Sequence, residues 1–259
     1  MNQSRSIIET RQKKLMNHIR EKKTVSVAEA SRLLNVSELT IRRDLAILES
    51  QDLIKRFHGG ASFNEKAAEH ETYLEEKTKL NEHLKDLIGA YAADYLPAES
   101  TVFLNSGTTA LRVLKHLNGK NIRVITNNAF APSAVWNDSI ELIMTGGECR
   151  NHSKSLVGSF ALNTINRVIS NFCILGANGI SRIGLTTSVY AETQVNEAMV
   201  NRCNGKVIVV ADGTKIGKSY NFISIPLKPI HTLITDTTAD PQELDILRQL
   251  GIDVIQVSV

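Results

Sequence analysis

The stretch SVAEASRLLNVSELTIRRDLAILESQDLIKRFHGG, residues 26–60, decides how the front of this chain folds. Ser26 and Glu29 form a capping box, in which each side chain accepts a hydrogen bond from a backbone N–H that the start of a helix leaves free. Ser37 is a second N-cap candidate, so another helix begins about ten residues later. Apolar residues at helical spacing over residues 11–22 add a helix before these two. The sequence therefore predicts three short helices in succession.

The third of these helices has two faces. A step of about 100° per residue places Ile41, Leu45 and Leu48 together, on the side that packs in a core. Arg43 lies on the opposite side, and Arg42 lies sideways at the edge of the buried stripe. A helix that exposes an arginine and follows a bracing helix has the form of a helix-turn-helix, whose second helix enters the major groove of DNA. Arg43 is then the leading candidate to pair with guanine, although adjacent arginines on a surface helix can equally be solvated.

A basic strand and a turn follow that helix. Residues 53–57 are strand-like, and residues 58–60, His-Gly-Gly, predict a turn. Basic side chains there suit contacts with phosphates, which fix the position of a protein on DNA rather than read its sequence. Leu39 is placed either to touch a thymine methyl group or to pack against protein. The candidate DNA contacts are Ser37, Leu39, Thr40, Arg42, Arg43, Lys55, Arg56 and His58.

Composition and charge narrow the class of protein. The 259 residues are 42% hydrophobic and 22% charged, and no apolar run approaches the roughly 20 residues of a membrane span. Residues 1–60 hold 12 Lys and Arg against 7 Asp and Glu, whereas residues 61–259 hold 18 against 20. The positive charge at the front points to a polyanionic partner. Three widely spaced cysteines and the lack of a signal-peptide pattern predict a cytoplasmic protein without disulfides, a metal site or membrane association.

The body of the chain alternates short apolar runs with helical patterns. This alternation predicts an α/β domain with a mainly parallel sheet covered by helices. A connecting helix over residues 71–96 is expected to dock on this domain through one apolar face. The apolar residues of that face are Leu80, Leu84, Leu87, Ile88, Tyr91 and Tyr95. The predicted strands are TVFLN (101–105), IRVIT (122–126), ELIM (141–144), FCIL (172–175), KVIVVAD (206–212), TLIT (232–235) and DVIQV (253–257).

Polar and glycine-rich segments follow several of these strands. Residues 107–109, Gly-Thr-Thr, open a helix and offer backbone N–H groups, hydroxyls and the positive end of the helix dipole, which suits a phosphate. The same residues also cap helices without binding anything. Lys215 is placed either to supply a cation or to pair with Asp212. Asn178 and Glu192 are placed to form hydrogen bonds with sugar hydroxyls, to cap a helix or to face solvent. Because the carboxyl ends of strands in an open parallel sheet meet in one crevice, we expect a ligand there.

Two sets of motifs resemble the DeoR family of bacterial repressors. The string VSELTIRRDLAILESQDLIKRFHGGA (36–61) is similar to the family's winged helix-turn-helix signature. FLNSGTTA, VITNN, MTGGE, LVGS, LGANGI, AET and VVADGTK resemble landmarks of its C-terminal domain, which is similar in fold to ribose-5-phosphate isomerase and typically senses a phosphorylated sugar. The resemblance implies phosphate binding by residues 106–109. The full set of candidate effector contacts is Asn105, Ser106, Gly107, Thr108, Thr109, Asn127, Gly146, Gly147, Asn178, Glu192 and Lys215.

The chain departs from the family pattern at three positions. Asn105 and Asn178 stand where the family commonly has aspartate, and Asp52 stands where it commonly has glycine. An amide can donate a hydrogen bond where a carboxylate only accepts, so the identity of the effector is open. Aspartate tolerates left-handed backbone, so we expect no loss at Asp52.

The expected architecture is a winged helix-turn-helix domain over residues 1–63, with its motif at about 25–44, then a linker and connecting helix over 64–98 and an α/β effector domain over 99–259. The expected function is a repressor of a sugar or carbohydrate catabolic operon. Its expected partners are a double-stranded DNA operator, a phosphorylated sugar and further copies of the chain in a dimer or tetramer. We expect no cofactor and no catalytic residue. The competing hypotheses are a phosphosugar isomerase-like enzyme and a DNA-binding oligomer without a ligand.

Overall fold

The computed structural model forms two compact units, Met1–Glu71 and Thr72–Val259. Within the described residues, no helix is long and apolar enough to cross a membrane. The structure describes residues 11–12, 14–16, 18–19, 21–50, 54–63, 78–117, 119–135 and 138–258. The predictions for Asp52, for the linker at 64–70 and for helix at 71–77 lie outside these residues.

The N-terminal unit is a helix-turn-helix combined with a small antiparallel sheet. The predicted helices are confirmed, and two strands that the sequence did not predict begin at Thr24 and Gly60. The sheet has the order β1-β3-β2, so β2 and β3 form a hairpin wing. The elements are α1 (helical at 11–12, 14–16, 18–19 and 21–22), β1 (Thr24–Ser26), α2 (Val27–Leu34), α3 (Glu38–Ser50), β2 (Ile54–Phe57) and β3 (Gly60–Phe63).

Serine side chains cap the starts of α2 and α3. Ser26 Oγ accepts from the backbone N–H of Glu29 at 3.1 Å, as the capping box predicts. Asn35 ends α2 in left-handed backbone. Ser37 Oγ accepts from the N–H of Thr40 at 3.2 Å, which starts α3. The predicted inner face of α3 is confirmed because Ile41, Leu45 and Leu48 are buried with Leu15 and Ile19 of α1.

Asp44, which the sequence analysis did not single out, joins α3 to α1. Its side chain is 3% exposed. One carboxylate oxygen accepts from Arg11 Nε at 2.6 Å, and the other accepts from Arg11 Nη2 at 3.1 Å and Gln12 Nε2 at 2.9 Å. A buried carboxylate with three donors holds the two helices in a fixed relation.

The C-terminal unit is built on a seven-stranded parallel sheet, and all seven predicted strands belong to it. The order is β15-β14-β12-β9-β4-β5-β6. The elements are α4 (Glu82–Tyr95), β4 (Thr101–Leu104), α5 (Thr108–His116), β5 (Ile122–Thr126), α6 (Ala131–Ala134), β6 (Ile140–Met144), β7 (Glu148–Cys149), β8 (Leu156–Val157), α7 (Ser159–Ile165), β9 (Ser170–Gly176), β10 (Gly179–Ser181), β11 (Gly184–Thr187), α8 (Tyr190–Asn201), β12 (Cys203–Val210), a 3-10 helix (Gly213–Lys215), β13 (Phe222–Ile225), β14 (Thr232–Asp236), α9 (Pro241–Gln249) and β15 (Asp253–Val257).

Helices cover both faces of this sheet. Val102 on β4 packs in one core with Val113 of α5, whereas its neighbour Phe103 packs in a second core with Val195 of α8 and Leu244 of α9. Two short antiparallel sheets that the sequence did not predict, β7-β8 and β10-β11-β13, lie beyond the strand ends. The predicted fold class, a winged helix-turn-helix domain plus an α/β domain with a mainly parallel sheet, is confirmed.

The connecting helix is interrupted by a turn and packs through part of the predicted face, since Leu87, Ile88 and Tyr95 contact the core. Residues 80 and 81 form a turn before α4, and Leu80 and Tyr91 are 53% and 44% exposed. The buried face also includes Gly89 and Ala92, which were not predicted. A Cβ on Gly89 would lie 2.7 Å from Arg112 Cβ. Small residues therefore let α4 approach α5 closely, and Tyr91 stays outside.

Candidate functional site

The outer face of α3 carries the leading sequence candidates. Leu39 is 58% exposed and Ile47 is 41% exposed, and Arg43 between them is also exposed. Within the described residues, the Arg43 side chain makes no ion pair or hydrogen bond. This face therefore presents a guanidinium group flanked by apolar side chains.

The other candidates on α3 take part in contacts at its start. The hydroxyls of Ser37 and Thr40 lie 2.9 Å apart, and the Ser37 hydroxyl also caps the helix. Arg42 Nη2 lies 3.2 Å from Glu38 Oε2, one helical turn away, and both side chains are more than half exposed. A pair this exposed costs little to break, so Arg42 stays available to another anion.

The wing places Lys55 and His58 on the surface and gives Arg56 a partner. Arg56 Nε lies 2.7 Å from Glu49 Oε2, and the Arg56 backbone N–H donates to Glu49 Oε1 at 3.2 Å. Arg56 therefore fastens the wing to α3 as well as carrying positive charge. Phe57, which the sequence analysis did not consider, is 52% exposed beside this cluster.

A pocket lies at the carboxyl ends of the parallel strands, and we call it the strand-end pocket. Its empty volume is about 770 Å³, part of which is open solvent. All the candidate effector contacts line it except Asn127, Gly146 and Gly147. Its described lining is Leu80, Lys85, Asn105, Ser106, Gly107, Thr108, Thr109, Ser153, Gly176, Ala177, Asn178, Leu185, Thr186, Thr187, Glu192, Asn196, Asp212, Lys215 and Ser224.

Asn105 organises the floor of the strand-end pocket. Its Oδ1 accepts from the N–H groups of Gly107 and Gly176 at 3.2 and 2.8 Å. Its Nδ2 donates to the carbonyl of Gly176 at 3.0 Å and to Asn196 Oδ1 at 3.2 Å. A carboxylate cannot make the two donated bonds, so the departure from the family's aspartate has a structural basis. The loop that starts α5 is thereby fixed beside the end of β9.

Two carboxylates lie in the walls and are held by hydrogen bonds. Glu192 Oε1 accepts from Ser155 Oγ at 2.8 Å. Asp212 is fully buried, and its Oδ1 accepts from Asn81 Nδ2 at 3.1 Å and from the Thr214 N–H at 3.2 Å. Its Oδ2 is buried without a hydrogen bond in the described part of the chain. The alternative ion pair with Lys215 is not formed.

Asn127 and Gly147 lie against β8, and neither they nor Gly146 are among the described residues that line the pocket. Asn127 Nδ2 donates to the carbonyl of Leu156 at 3.1 Å. Gly147 has a φ of +105°, and a Cβ there would lie 2.3 Å from the carbonyl oxygen of Val157. The glycines that follow the third strand therefore permit a tight return of the chain, and their role in effector binding stays a prediction.

The loop between β7 and β8 carries positive charge next to Ser153 of the pocket. Burial lowers the pKa of His152, and the neighbouring charges of Arg150 and Lys154 lower it further. The imidazole is therefore neutral near pH 7, and the loop's charge comes from the two flanking cations.

The chain has a helix-turn-helix unit, and a parallel-sheet unit with a polar pocket follows it in sequence. This combination is typical of ligand-sensing transcriptional regulators. The DeoR-like helix-turn-helix domain matches residues 11–67, and the DeoR C-terminal sensor domain matches residues 80–237. The chain belongs to the DeoR family.

Known proteins similar to this chain include two repressors. The lactose phosphotransferase system repressor of Lactococcus lactis subsp. lactis is 30% identical, over 92% of this chain and 95% of that protein. The glycerol-3-phosphate regulon repressor of Escherichia coli K12 is 29% identical, over 88% and 91%. Ribose 5-phosphate isomerase A of Methanocaldococcus jannaschii matches in structure over 52% of this chain and 54% of that one, with a TM-score of 0.38 and 16% sequence identity.

Proposed function

We propose that this chain represses an operon for sugar catabolism by binding its operator DNA, and that a phosphorylated sugar in the strand-end pocket controls the binding. Two relatives that match along most of their length carry the name of repressor. A repressor of this kind acts in the cytoplasm, where the DNA lies, and we expect a dimer or tetramer because paired half-sites favour paired copies.

The observation that carries the effector proposal is the start of α5 in the pocket. Thr108 and Thr109 bring their backbone N–H groups, two hydroxyls and the positive helix end to a polar cavity that Lys215 also lines. A phosphate ester satisfies such donors. Asn178, whose Nδ2 donates to Thr187 Oγ1 at 3.3 Å, supplies amide groups suited to sugar hydroxyls.

Effector binding is tested by thermal denaturation with pentose and hexose phosphates and with the matching unphosphorylated sugars. A ligand that binds only the native state adds about 2.7 kcal/mol at 100 times its Kd. We expect a rise in Tm with one or a few phosphosugars, and none with their unphosphorylated forms. The absence of a shift with every phosphosugar would favour the DNA-binding oligomer without a ligand.

DNA recognition is tested with Arg43→Ala and Lys55→Ala. Arg43 lies on the exposed face of α3, so Arg43→Ala is expected to reduce the binding free energy for the operator by about 1–3 kcal/mol. The variant is also expected to discriminate less between operator and mismatched DNA. Lys55 lies on the wing, so Lys55→Ala is expected to lower the affinity for all DNA sequences alike. The slope of log K against log salt concentration is expected to become shallower by about one. Unchanged preference in Arg43→Ala would reject the assignment of this face to base edges.

We propose that the pocket senses its ligand and does not transform it. Isomerisation of a phosphosugar needs a positioned base, commonly a carboxylate. Of the described pocket carboxylates, Glu192 is bonded to Ser155, and Asp212 is bonded through Oδ1 to Asn81 and Thr214. Turnover of any phosphosugar by the purified protein would support the enzyme hypothesis instead.

A further inference from the structure

Three side chains in the wall of the strand-end pocket are joined by hydrogen bonds, and we call them the serine–glutamate network. Ser153 and Glu192 line the pocket, whereas Ser155 between them is fully buried. Ser153 Oγ lies 2.8 Å from Ser155 Oγ, and Ser155 Oγ lies 2.8 Å from Glu192 Oε1. Among the described residues, neither serine hydroxyl makes another hydrogen bond. The network therefore runs in one line from Glu192 to the pocket.

The backbone around the network holds the two hydroxyls in place. Ser155 directly precedes β8, and Glu192 lies in the first turn of α8. Lys154, between the two serines, has a left-handed backbone with a φ of +51°. Its N–H donates to the carbonyl of Arg150 at 2.9 Å, and the Arg150 N–H donates to the carbonyl of Ser155 at 2.9 Å. This tight turn brings the serine hydroxyls together at the end of the sheet.

The hydrogen bonds of the network can point in only one direction. A glutamate carboxylate that is ionised, as is usual near neutral pH, only accepts, and a serine hydroxyl has a single hydrogen to donate. Ser155 therefore donates to Glu192, and it can only accept from Ser153. Ser153 in turn donates to Ser155, so the lone pairs of its Oγ are what it can offer to the pocket. A ligand group that bonds to Ser153 must therefore be a hydrogen-bond donor.

This polarity also orients a phosphorylated ligand. Phosphate oxygens are negatively charged acceptors near neutral pH, so they are disfavoured beside the Ser153 lone pairs and the Glu192 carboxylate. The start of α5 and Lys215 supply donors elsewhere in the same pocket. The phosphate end of a sugar phosphate is therefore expected at α5, and its hydroxyl-bearing end at the serine–glutamate network.

We propose that Ser153 is an effector-binding residue that accepts a hydrogen bond from a hydroxyl group of the phosphorylated sugar, and that Ser155 and Glu192 fix its polarity. The inference rests on the proposed function and adds a specificity-determining contact to it. A site built to pair with a ligand hydroxyl disfavours an analogue that lacks the hydroxyl, because the protein group is then left unpaired. A fluorine at that position is worse still, since an acceptor then faces an acceptor.

The test is calorimetric binding of the pentose or hexose phosphate that raises the wild-type Tm most, and of analogues in which one hydroxyl at a time is replaced by hydrogen or fluorine. At one position, replacement is expected to lower the affinity of the wild type about 3- to 10-fold. The same replacement is expected to change the affinity of Ser153→Ala less than about twofold, because the partner is already missing. Ser133→Ala is the matched control, since Ser133 is exposed, donates to the carbonyl of Phe130 at 2.8 Å and is not among the described lining residues. This variant is expected to match the wild type with every analogue.

Ser155→Ala tests the polarity separately. It keeps Ser153 but removes the acceptor of its hydrogen, which can then turn toward the ligand. The fluorine analogue is expected to bind the wild type more weakly than the hydrogen analogue, and Ser155→Ala is expected to remove this difference. A difference that persists in Ser155→Ala would overturn the assigned polarity.

The ligand series on the wild type keeps the proposal testable even if a variant does not fold. A wild type that binds every fluorine analogue as tightly as the parent sugar phosphate would overturn the proposal. Equal sensitivity of Ser153→Ala and Ser133→Ala to every analogue would also overturn it. Both results leave the proposed function standing, whereas a wild type that binds no phosphosugar would reject the proposed function together with this inference.

Discussion

Replacing Asp44 with asparagine tests whether the buried ion pair between α1 and α3 holds the DNA-binding face in place. The side chain is 3% exposed and accepts three hydrogen bonds from Arg11 and Gln12. Asparagine keeps one acceptor oxygen and turns an NH2 group toward those donors. Hydrogen bonds to charged groups contribute about 1.5–3 kcal/mol each, but Arg11 is partly exposed and regains water. Asp44→Asn is therefore expected to lower the free energy of unfolding of the N-terminal unit by about 2–3 kcal/mol.

Glu38→Gln on the same helix is the matched control. The pair of Glu38 with Arg42 has side chains 51% and 61% exposed. Exposed pairs of this kind contribute about 0.2–0.5 kcal/mol. The two substitutions make the same chemical change, from carboxylate to amide, so the difference between them reports burial.

Hydrogen exchange followed by mass spectrometry on peptides from α3 measures both variants. A tenfold change in exchange corresponds to about 1.4 kcal/mol, so Asp44→Asn is expected to exchange about 30- to 150-fold faster and Glu38→Gln less than about threefold faster. Operator affinity is also expected to fall in Asp44→Asn, although the residue is buried. Equal exchange in the two variants would refute the argument that burial sets the strength of this pair.

Two further predictions concern the C-terminal unit. Gly176→Ala places a Cβ 2.9 Å from Gly107 Cα. The substitution is therefore expected to lower the free energy of unfolding in urea by about 1–3 kcal/mol and to weaken phosphosugar binding. Unchanged stability would show that the loop moves aside without cost. Burial raises the pKa of Cys173, whereas Cys149 is exposed, so a thiol reagent at mildly alkaline pH is expected to label Cys149 in the folded protein and Cys173 only after unfolding. Mass spectrometry after timed labelling decides this, and early labelling of Cys173 would contradict it.

The sheet was predictable because its strands are buried on both faces. A run such as KVIVV is apolar at nearly every position, and this is the signature of parallel strands covered by helices. Strands β7 and β8 were not predictable, since each has two residues and both residues of β7 are exposed. The wing strand β3 begins at Gly60, which the sequence analysis treated as the end of a turn.

The pocket was predictable in outline because strand ends converge, which placed residues 105–109, Asn178 and Lys215 in one crevice. The packing of α4 was predictable only in part, because periodicity identifies Leu87 and Ile88 but cannot detect that Gly89 lets the helix approach α5 closely. Asp44 escaped notice because of its residue type. Charged residues are usually exposed, and only the three-dimensional arrangement reveals the partners that make burial tolerable.

The hydrogen bond from Asn81 to Asp212 joins residues 131 positions apart in the chain. Leu80 and Asn81 directly precede α4, in the stretch through which the backbone continues from the DNA-binding unit. Leu80 also lines the strand-end pocket, so a ligand bound there contacts the residues that lead into α4. If one conformation of residues 80 and 81 binds the ligand about 100-fold better than another, saturating ligand changes a 10:1 ratio of the two conformations to 1:10.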